Sequence, residues 1–147
     1  MLHMNPYATL QQTQRQRVSD GNWVSLLDGC DPAQWLLVVV LPQLGDFDSL
    51  EYAWWLQRHA ADLQQQQVTI RAVGIGDRAS GEQFCHYTGF APDGLFVDPE
   101  ASLHRQLNLY PGLALKPPLL SAAQTAWLNL LLMCAGVGSP GTLAEVV

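Results

Sequence analysis

The sequence predicts an α/β domain in which helices flank a central sheet, with a β-hairpin at its N-terminal end and a helical extension at its C-terminal end. Three observations support this prediction. A continuous apolar run over 35–41 (WLLVVVL) has the length and the β-branched residues of a buried strand, a helical pattern follows it, and a second apolar run covers 68–75. Strand, helix and strand in this order indicate a βαβ unit with parallel strands.

The elements around the first strand are predicted from turn chemistry. Residues 1–14 are polar and Gln-rich, without helical periodicity, and are expected to be flexible. Asp20-Gly21 then separates two short β-type runs, as in a tight hairpin. The run over 35–41 is expected to be a central strand buried on both faces, and Pro42 ends it because proline cannot donate to a sheet ladder.

Capping residues and glycines place the remaining elements. We expect a helix from Asp46 or Asp48 to about Gln66, a shorter helix over about 80–88 that ends at Gly89, a strand over 94–97 and a short helix over 101–107. These elements divide the chain into a flexible segment over 1–14, a domain over 15–117, and a helical extension over 118–147 that packs on the domain or on a partner.

Composition excludes several classes of function. The chain has 147 residues, a net charge of −6 and only seven Lys and Arg, so it offers no basic surface for nucleic acid or an anionic membrane. Its longest apolar stretch, 126–137, is shorter than the roughly 20 residues that span a bilayer. Three cysteines without CxxC spacing indicate reduced thiols, and we expect a cytoplasmic protein.

A family resemblance extends over about 18–109. It is carried by the hairpin SDGNWVSL, the passage LLVVVLPQLGDFDSLEYA, the second strand VTIRAVGIG and the segment LFVDPEASLHRQLNL. The C-terminal LNLLLMCAGVGSPGTLAEV is similar to an extension that some members carry. These segments together resemble the AhpC/TSA peroxiredoxin-like proteins of the thioredoxin superfamily. The resemblance implies a thioredoxin-like, peroxiredoxin-type sheet and an antioxidant oxidoreductase activity.

The resemblance also implies where the chemistry would lie. In peroxiredoxins a thiolate at the start of the helix after the central strand attacks the peroxide, and its pKa is lowered by the helix dipole and an arginine. The family's Pro, Thr and Cys fall on Pro42, Asp46 and Ser49, and in the peroxiredoxin-like branch the cysteines fall near Asp46 and Asp48. Neither alignment places a sulfur atom there, so Pro42, Asp46, Asp48 and Ser49 form a degenerate site.

Two other thiols are alternatives for a displaced redox centre. Cys85 lies beside His86 on a predicted helix, but Phe84 before it indicates a face that packs inward, where a cysteine is buried and inert. Cys30, in the loop DGCDP, is more accessible, although the nearby aspartates oppose a thiolate. The histidines are not clustered at metal-ligand spacing, so we predict no metal and no cofactor.

Large apolar residues indicate an interaction surface. Trp54 and Trp55 are neighbours on the first long helix, so one is expected to face the sheet and the other to lie at the rim or in an interface. Trp127 and Leu131 extend this prediction into the C-terminal segment. Two functions remain open. One is a protein without peroxidase chemistry that acts by binding or as a homodimer; the other is a thiol-dependent antioxidant enzyme that uses Cys85 or Cys30 with a thiol reductant.

Overall fold

The chain between residues 5 and 109 forms a sheet of five strands with helices on both faces. The structure is a computed structural model, and it describes residues 5–109, 121, 123–125 and 127–128. In chain order the elements are α1 (Pro6–Gln12), β1 (Gln14–Arg17), β2 (Trp23–Ser25), β3 (Trp35–Leu41), α2 (Phe47–Arg58), α3 (Ala60–Gln65), β4 (Val68–Gly74), α4 (Arg78–Thr88), β5 (Leu95–Val97) and α5 (Ser102–Gln106).

The sheet combines a parallel half with a hairpin. Its strand order is β2-β1-β5-β4-β3. β3 runs parallel to β4 over its whole length, from Trp35 opposite Val68 to Leu41 opposite Gly74, and β4 runs parallel to β5. β1 is antiparallel to both β2 and β5. The predicted βαβ unit, the hairpin and the flanking helices are therefore confirmed.

Alternate residues of the strands fill two core clusters, one on each face. Ala72 and Leu95 pack with residues of α2 and α4, whereas their neighbours Val73 and Phe96 pack on the other face with Leu103 of α5. This alternation is what the period of two in a strand requires. The result is a sheet between two helical layers.

The position of β3 corrects the sequence analysis. The run over 35–41 was expected to be central, but among the described strands it is the last of the order, and Trp35 at its start is 77% exposed. Its apolar character on both faces has another cause. Val39 packs against the first core cluster and Val40 against the second, so the run is apolar because both faces are covered, and not because strands lie on both sides of it.

Two helices also differ from the sequence analysis. Helix α1 lies inside the segment 1–14, where no helix was expected; Asn5 caps it through the N–H groups of Tyr7 and Ala8, and Pro6 stands at its first position. The single helix expected up to about Gln66 is divided at His59 into α2 and α3. Flexibility of the N-terminal segment stays a prediction.

A buried ion pair connects β1 to the residues after β5. Arg15 and Asp98 are both at least nine-tenths buried, with the Arg15 Nε atom 3.3 Å from an Asp98 carboxylate oxygen. Arg15 also donates to the Ser102 hydroxyl, and the Leu103 N–H donates to Asp98 at 2.7 Å. Burial opposes ionisation of Asp98, but the Leu103 N–H, the charge of Arg15 and the Ser102 hydroxyl outweigh it, so the pKa of Asp98 is below its ordinary value.

The chain divides into two compact units, residues 1–107 and 108–147. In the second unit, the described residues 123–125 and 127–128 are helical, and the Thr125 N–H donates to the Ser121 carbonyl at 2.9 Å. The domain boundary expected after residue 117 stays a prediction. No helix in the described part of the chain is long and apolar enough to cross a membrane.

The Asp98 network gives a test of stability against pH. Asp98→Ala leaves the buried Arg15 charge without its partner, so we expect the free energy of unfolding at pH 7 to fall by about 3–5 kcal/mol. Because the pKa of Asp98 is lowered by folding, its contribution is complete above its unfolded pKa of roughly 3.9 and is lost as the pH falls through the folded value. The two proteins should therefore converge in stability in acid. Urea unfolding at several pH values measures this.

The matched control for Asp98 is Asp93→Ala, which removes an exposed carboxylate from the turn before β5. We expect it to change the free energy of unfolding by at most about 0.5 kcal/mol. Equal losses in the two variants, or a loss in Asp98→Ala that does not shrink in acid, would contradict the assignment.

Candidate functional site

The passage from β3 into α2 positions the residues of the degenerate site. Pro42 follows the strand, Gly45 turns the chain with a φ of +97°, and Asp46 is the N-cap of α2. The Asp46 carboxylate accepts a hydrogen bond of 2.7 Å from the Ser49 backbone N–H. Asp46 therefore occupies one of the amide donors that a helix start offers to an anion.

Leu44 anchors this passage to the adjacent strand. Its N–H donates to the Ile75 carbonyl at 2.9 Å, and its side chain lies over Gly74. A Cβ atom at Gly74 would lie 2.6 Å from Leu44 Cγ, which is closer than carbon atoms pack. Glycine at this position is therefore required for Leu44 to lie against the end of β4.

The Ser49 side chain is buried, and among the described residues its hydroxyl has no partner. It is 1% exposed and shares the inner face of α2 with Ala53 and Leu56. Its Oγ atom has no hydrogen-bond partner among the described residues. A serine becomes a nucleophile when a base takes its proton, and the part of the chain that the structure describes places none beside this hydroxyl.

Three of the four predicted residues line one shallow cleft. Pro42, Asp48 and Ser49 meet Tyr52 and strand residues 37–41 around a volume of about 380 Å³. Its described lining is mainly apolar, and among these described residues Asp48 is the one charged residue and there is no lysine or arginine. A site that stabilises a thiolate needs positive surroundings, and this cleft has the opposite charge.

Neither alternative thiol lines that cleft. Cys85 on α4 packs partly against the first core cluster, and burial raises the pKa of its thiol to about 11. Cys30 lies half-buried in the turn after β2, where its N–H donates to the Leu27 carbonyl at 3.1 Å. Both thiols are free. The third cysteine, Cys134, lies outside the described residues.

The two neighbouring tryptophans are both at the surface. Trp54 is 44% exposed and Trp55 46% exposed, so the expectation that one of them faces the sheet is wrong. The inner face of α2 is occupied by smaller residues, Ala53 and Leu56 among them. Trp54 instead reaches α4, where its indole N–H donates to the Tyr87 carbonyl at 3.3 Å. Trp127 is also exposed, and Leu131 lies outside the described residues.

His104 contributes to the site in a way that the sequence analysis missed. Its Nε2 atom lies 2.9 Å from the carbonyl oxygen of Leu41, the last residue of β3. This contact holds α5 against the strand end from which the degenerate site begins. Because 63 residues separate the two partners in the sequence, no local pattern indicates it.

Comparisons with known proteins agree with this fold. Residues 55–146 match a family described as AhpC/TSA antioxidant enzyme. A cysteine-to-serine mutant of peroxiredoxin Q from Xanthomonas campestris is similar in structure, with a TM-score of 0.61 and 14% sequence identity, over 87% of this chain and 94% of that chain. No curated protein matches the sequence. The predicted thioredoxin-like, peroxiredoxin-type fold is confirmed.

Replacing Ser49 tests whether its hydroxyl has a partner. Because the buried Oγ atom makes no hydrogen bond with the described residues, Ser49→Ala should leave the free energy of unfolding unchanged or raise it by up to about 1 kcal/mol. Asp46→Ala is the matched variant, and loss of the N-cap should cost about 1 kcal/mol. Urea titration compares the two. A loss larger than about 1 kcal/mol in Ser49→Ala would mean that the hydroxyl is bonded.

The reactivity of Cys85 follows from the raised pKa of its thiol. With a pKa of about 11, the thiol is almost entirely protonated at neutral pH. We expect iodoacetamide at pH 7.5 to alkylate Cys85 at least about tenfold more slowly in the native chain than in denaturant, where the thiol returns to its ordinary pKa. Mass spectrometry of peptides measures both rates. Equal rates would show that Cys85 is as accessible and as readily ionised in the native fold as in the unfolded chain.

Proposed function

This chain belongs to the AhpC/TSA antioxidant enzyme family, and from that premise we propose that it has lost peroxidase chemistry at the start of α2 and acts through binding or self-association. In this view the thioredoxin-like fold is kept as a scaffold. Its surface, and not a redox centre, carries the function.

The observation that supports the proposal is that residues 46–49 at the start of α2 are Asp, Phe, Asp and Ser, without a cysteine. The resemblance sets the peroxidatic cysteine at Ser49 or near Asp46 and Asp48, and the buried Ser49 hydroxyl has no partner among the described residues. The pKa of a serine hydroxyl is far above neutral, so it cannot supply the anion that attacks a peroxide. Asp46 and Asp48 add negative charge, which would disfavour a thiolate or any other anion.

A surface suited to binding lies on the same helix. Phe47 is 89% exposed at the start of α2, and Trp54 and Trp55 are both more than two-fifths exposed. Single exposed apolar residues are ordinary on protein surfaces, but several on one helix make a patch of the kind found at interfaces. This patch supports the binding function and a homodimer or protein partner.

The second candidate is a thiol-dependent antioxidant enzyme with a displaced cysteine, Cys85 or Cys30. One observation favours Cys30. Arg71 places a guanidinium at the loop of Cys30, where the Nη2 atom donates to the Asp28 carbonyl at 3.1 Å. The raised pKa of Cys85 makes that thiol the weaker candidate. A cytoplasmic location, where thiols stay reduced, suits either function.

Peroxide consumption distinguishes the two functions. With thioredoxin or dithiothreitol as reductant, we expect no turnover of hydrogen peroxide above the rate of the reductant alone, either in the natural chain or in its Cys30→Ser and Cys85→Ser variants. The physical reason is the absence of a stabilised thiolate at the start of α2.

Two controls make this result decisive. Circular dichroism of each variant shows that the fold is intact, and a peroxidase of known activity under the same conditions shows that the assay detects turnover. Turnover in the natural chain that disappears in Cys30→Ser alone would establish the second candidate and refute the first.

A further inference from the structure

One stripe of α2 faces away from the sheet and combines apolar and charged residues. Phe47, Glu51, Trp54 and Arg58 follow one another at helical spacing, opposite the inner residues Ser49, Ala53 and Leu56. We call these four residues the outer stripe. Together with Gln57 they line a shallow groove of about 520 Å³. The stripe is therefore a continuous surface, not a set of scattered side chains.

The apolar members of the outer stripe are unusually exposed for a helix of a folded domain. Phe47 is 89% exposed and Trp54 is 44% exposed. A helix that packs only on its inner face normally has polar residues on the outer one. Burial of an aromatic ring against another surface would remove a large apolar area from water. The stripe is suited to a covering partner.

The charged members show which partner fits. Glu51 lies in the first half of α2 and Arg58 at its last residue, and both are exposed without an ion-pair partner in the described part of the chain. The acidic group is thus towards the N-terminal end of the stripe and the basic group at its C-terminal end. When two copies of this helix run in opposite directions, the acidic group of each copy lies towards the basic group of the other.

We propose that the outer stripe of α2 is the contact surface of a symmetric homodimer, in which the two α2 helices pack antiparallel across a two-fold axis. This proposal rests on the proposed function and names the partner as a second copy of this chain. An axis between Glu51 and Trp54 places each of these residues opposite the other in the second copy, and Phe47 opposite Arg58. Each contact then occurs twice, as a two-fold interface requires.

Three physical effects favour this arrangement over a parallel one. The Arg58 guanidinium lies over the Phe47 ring of the second copy, a cation–π contact. Glu51 lies one helical turn from the same guanidinium, within reach of a long arginine side chain. The dipoles of the two helices are opposed in direction, which is favourable. Parallel helices would instead place Glu51 against Glu51 and Arg58 against Arg58.

Sedimentation equilibrium of the full chain and four variants tests the proposal. We expect a reversible dimer in the natural chain, and at least about a tenfold higher dissociation constant in Phe47→Ser, Glu51→Arg and Arg58→Glu. The double variant E51R/R58E exchanges the two charges and restores their complementarity. Because the contact of Arg58 with the Phe47 ring is not restored, the rescue is partial: the dissociation constant should fall at least about threefold below that of either single charge variant, which a general loss of stability would not produce.

Trp35→Ser is the matched control, because Trp35 is 77% exposed on β3, outside the stripe. It should leave the dissociation constant unchanged. A natural chain that stays monomeric up to about 100 µM, or a dimer that Trp35→Ser weakens and Phe47→Ser does not, would overturn the proposal. Peroxide turnover is measured separately, so a monomer without turnover would refute the homodimer alone, whereas turnover would refute the proposed loss of peroxidase chemistry.

Discussion

The parallel pairing of β3 with β4 is the constraint on which the rest of the domain depends. Seven residue pairs, from Trp35 with Val68 to Leu41 with Gly74, join the two strands without a break. A parallel pair needs a crossover long enough to return the chain to the starting edge of the sheet, and α2 and α3 supply it. Because β3 ends where α2 must begin, the ladder also decides where the degenerate site lies.

A helix start can use its positive end in two ways that compete for the same amide groups. It can stabilise an external anion or a thiolate, or it can accept a side chain of its own as a cap. Asp46 commits α2 to the second use, because its carboxylate accepts the Ser49 N–H. At this one amide group the helix start is therefore satisfied from within the chain. The outward face of α2 is a separate part of the helix, and it stays exposed.

Local patterns in the sequence predicted where helices and strands lie, but not which other elements pack against them. The hairpin at Asp20-Gly21 and the helix that ends at Gly89 were predictable because turns and caps depend on residues a few positions apart. The position of β3 at the end of the described strand order and the exposure of Trp54 were not, because both depend on which other elements pack nearby. In the site, the resemblance names the residues at the start of α2 and their role stays a prediction, whereas no local pattern indicates the contact of His104 with Leu41, which joins distant parts of the chain.

The contact of Leu44 with Gly74 holds the loop after β3 by groups that lie outside residues 45–49. The loop is held by an apolar side chain over a glycine and by one backbone hydrogen bond, and none of these involves residues 45–49. Within 45–49, Gly45 forms the turn, Asp46 caps α2 and Ser49 is buried, whereas Asp48 is exposed and lines the cleft. For protein engineering this makes Asp48 a graft position: a new functional group could be installed there on a framework that the Leu44 contact holds in place.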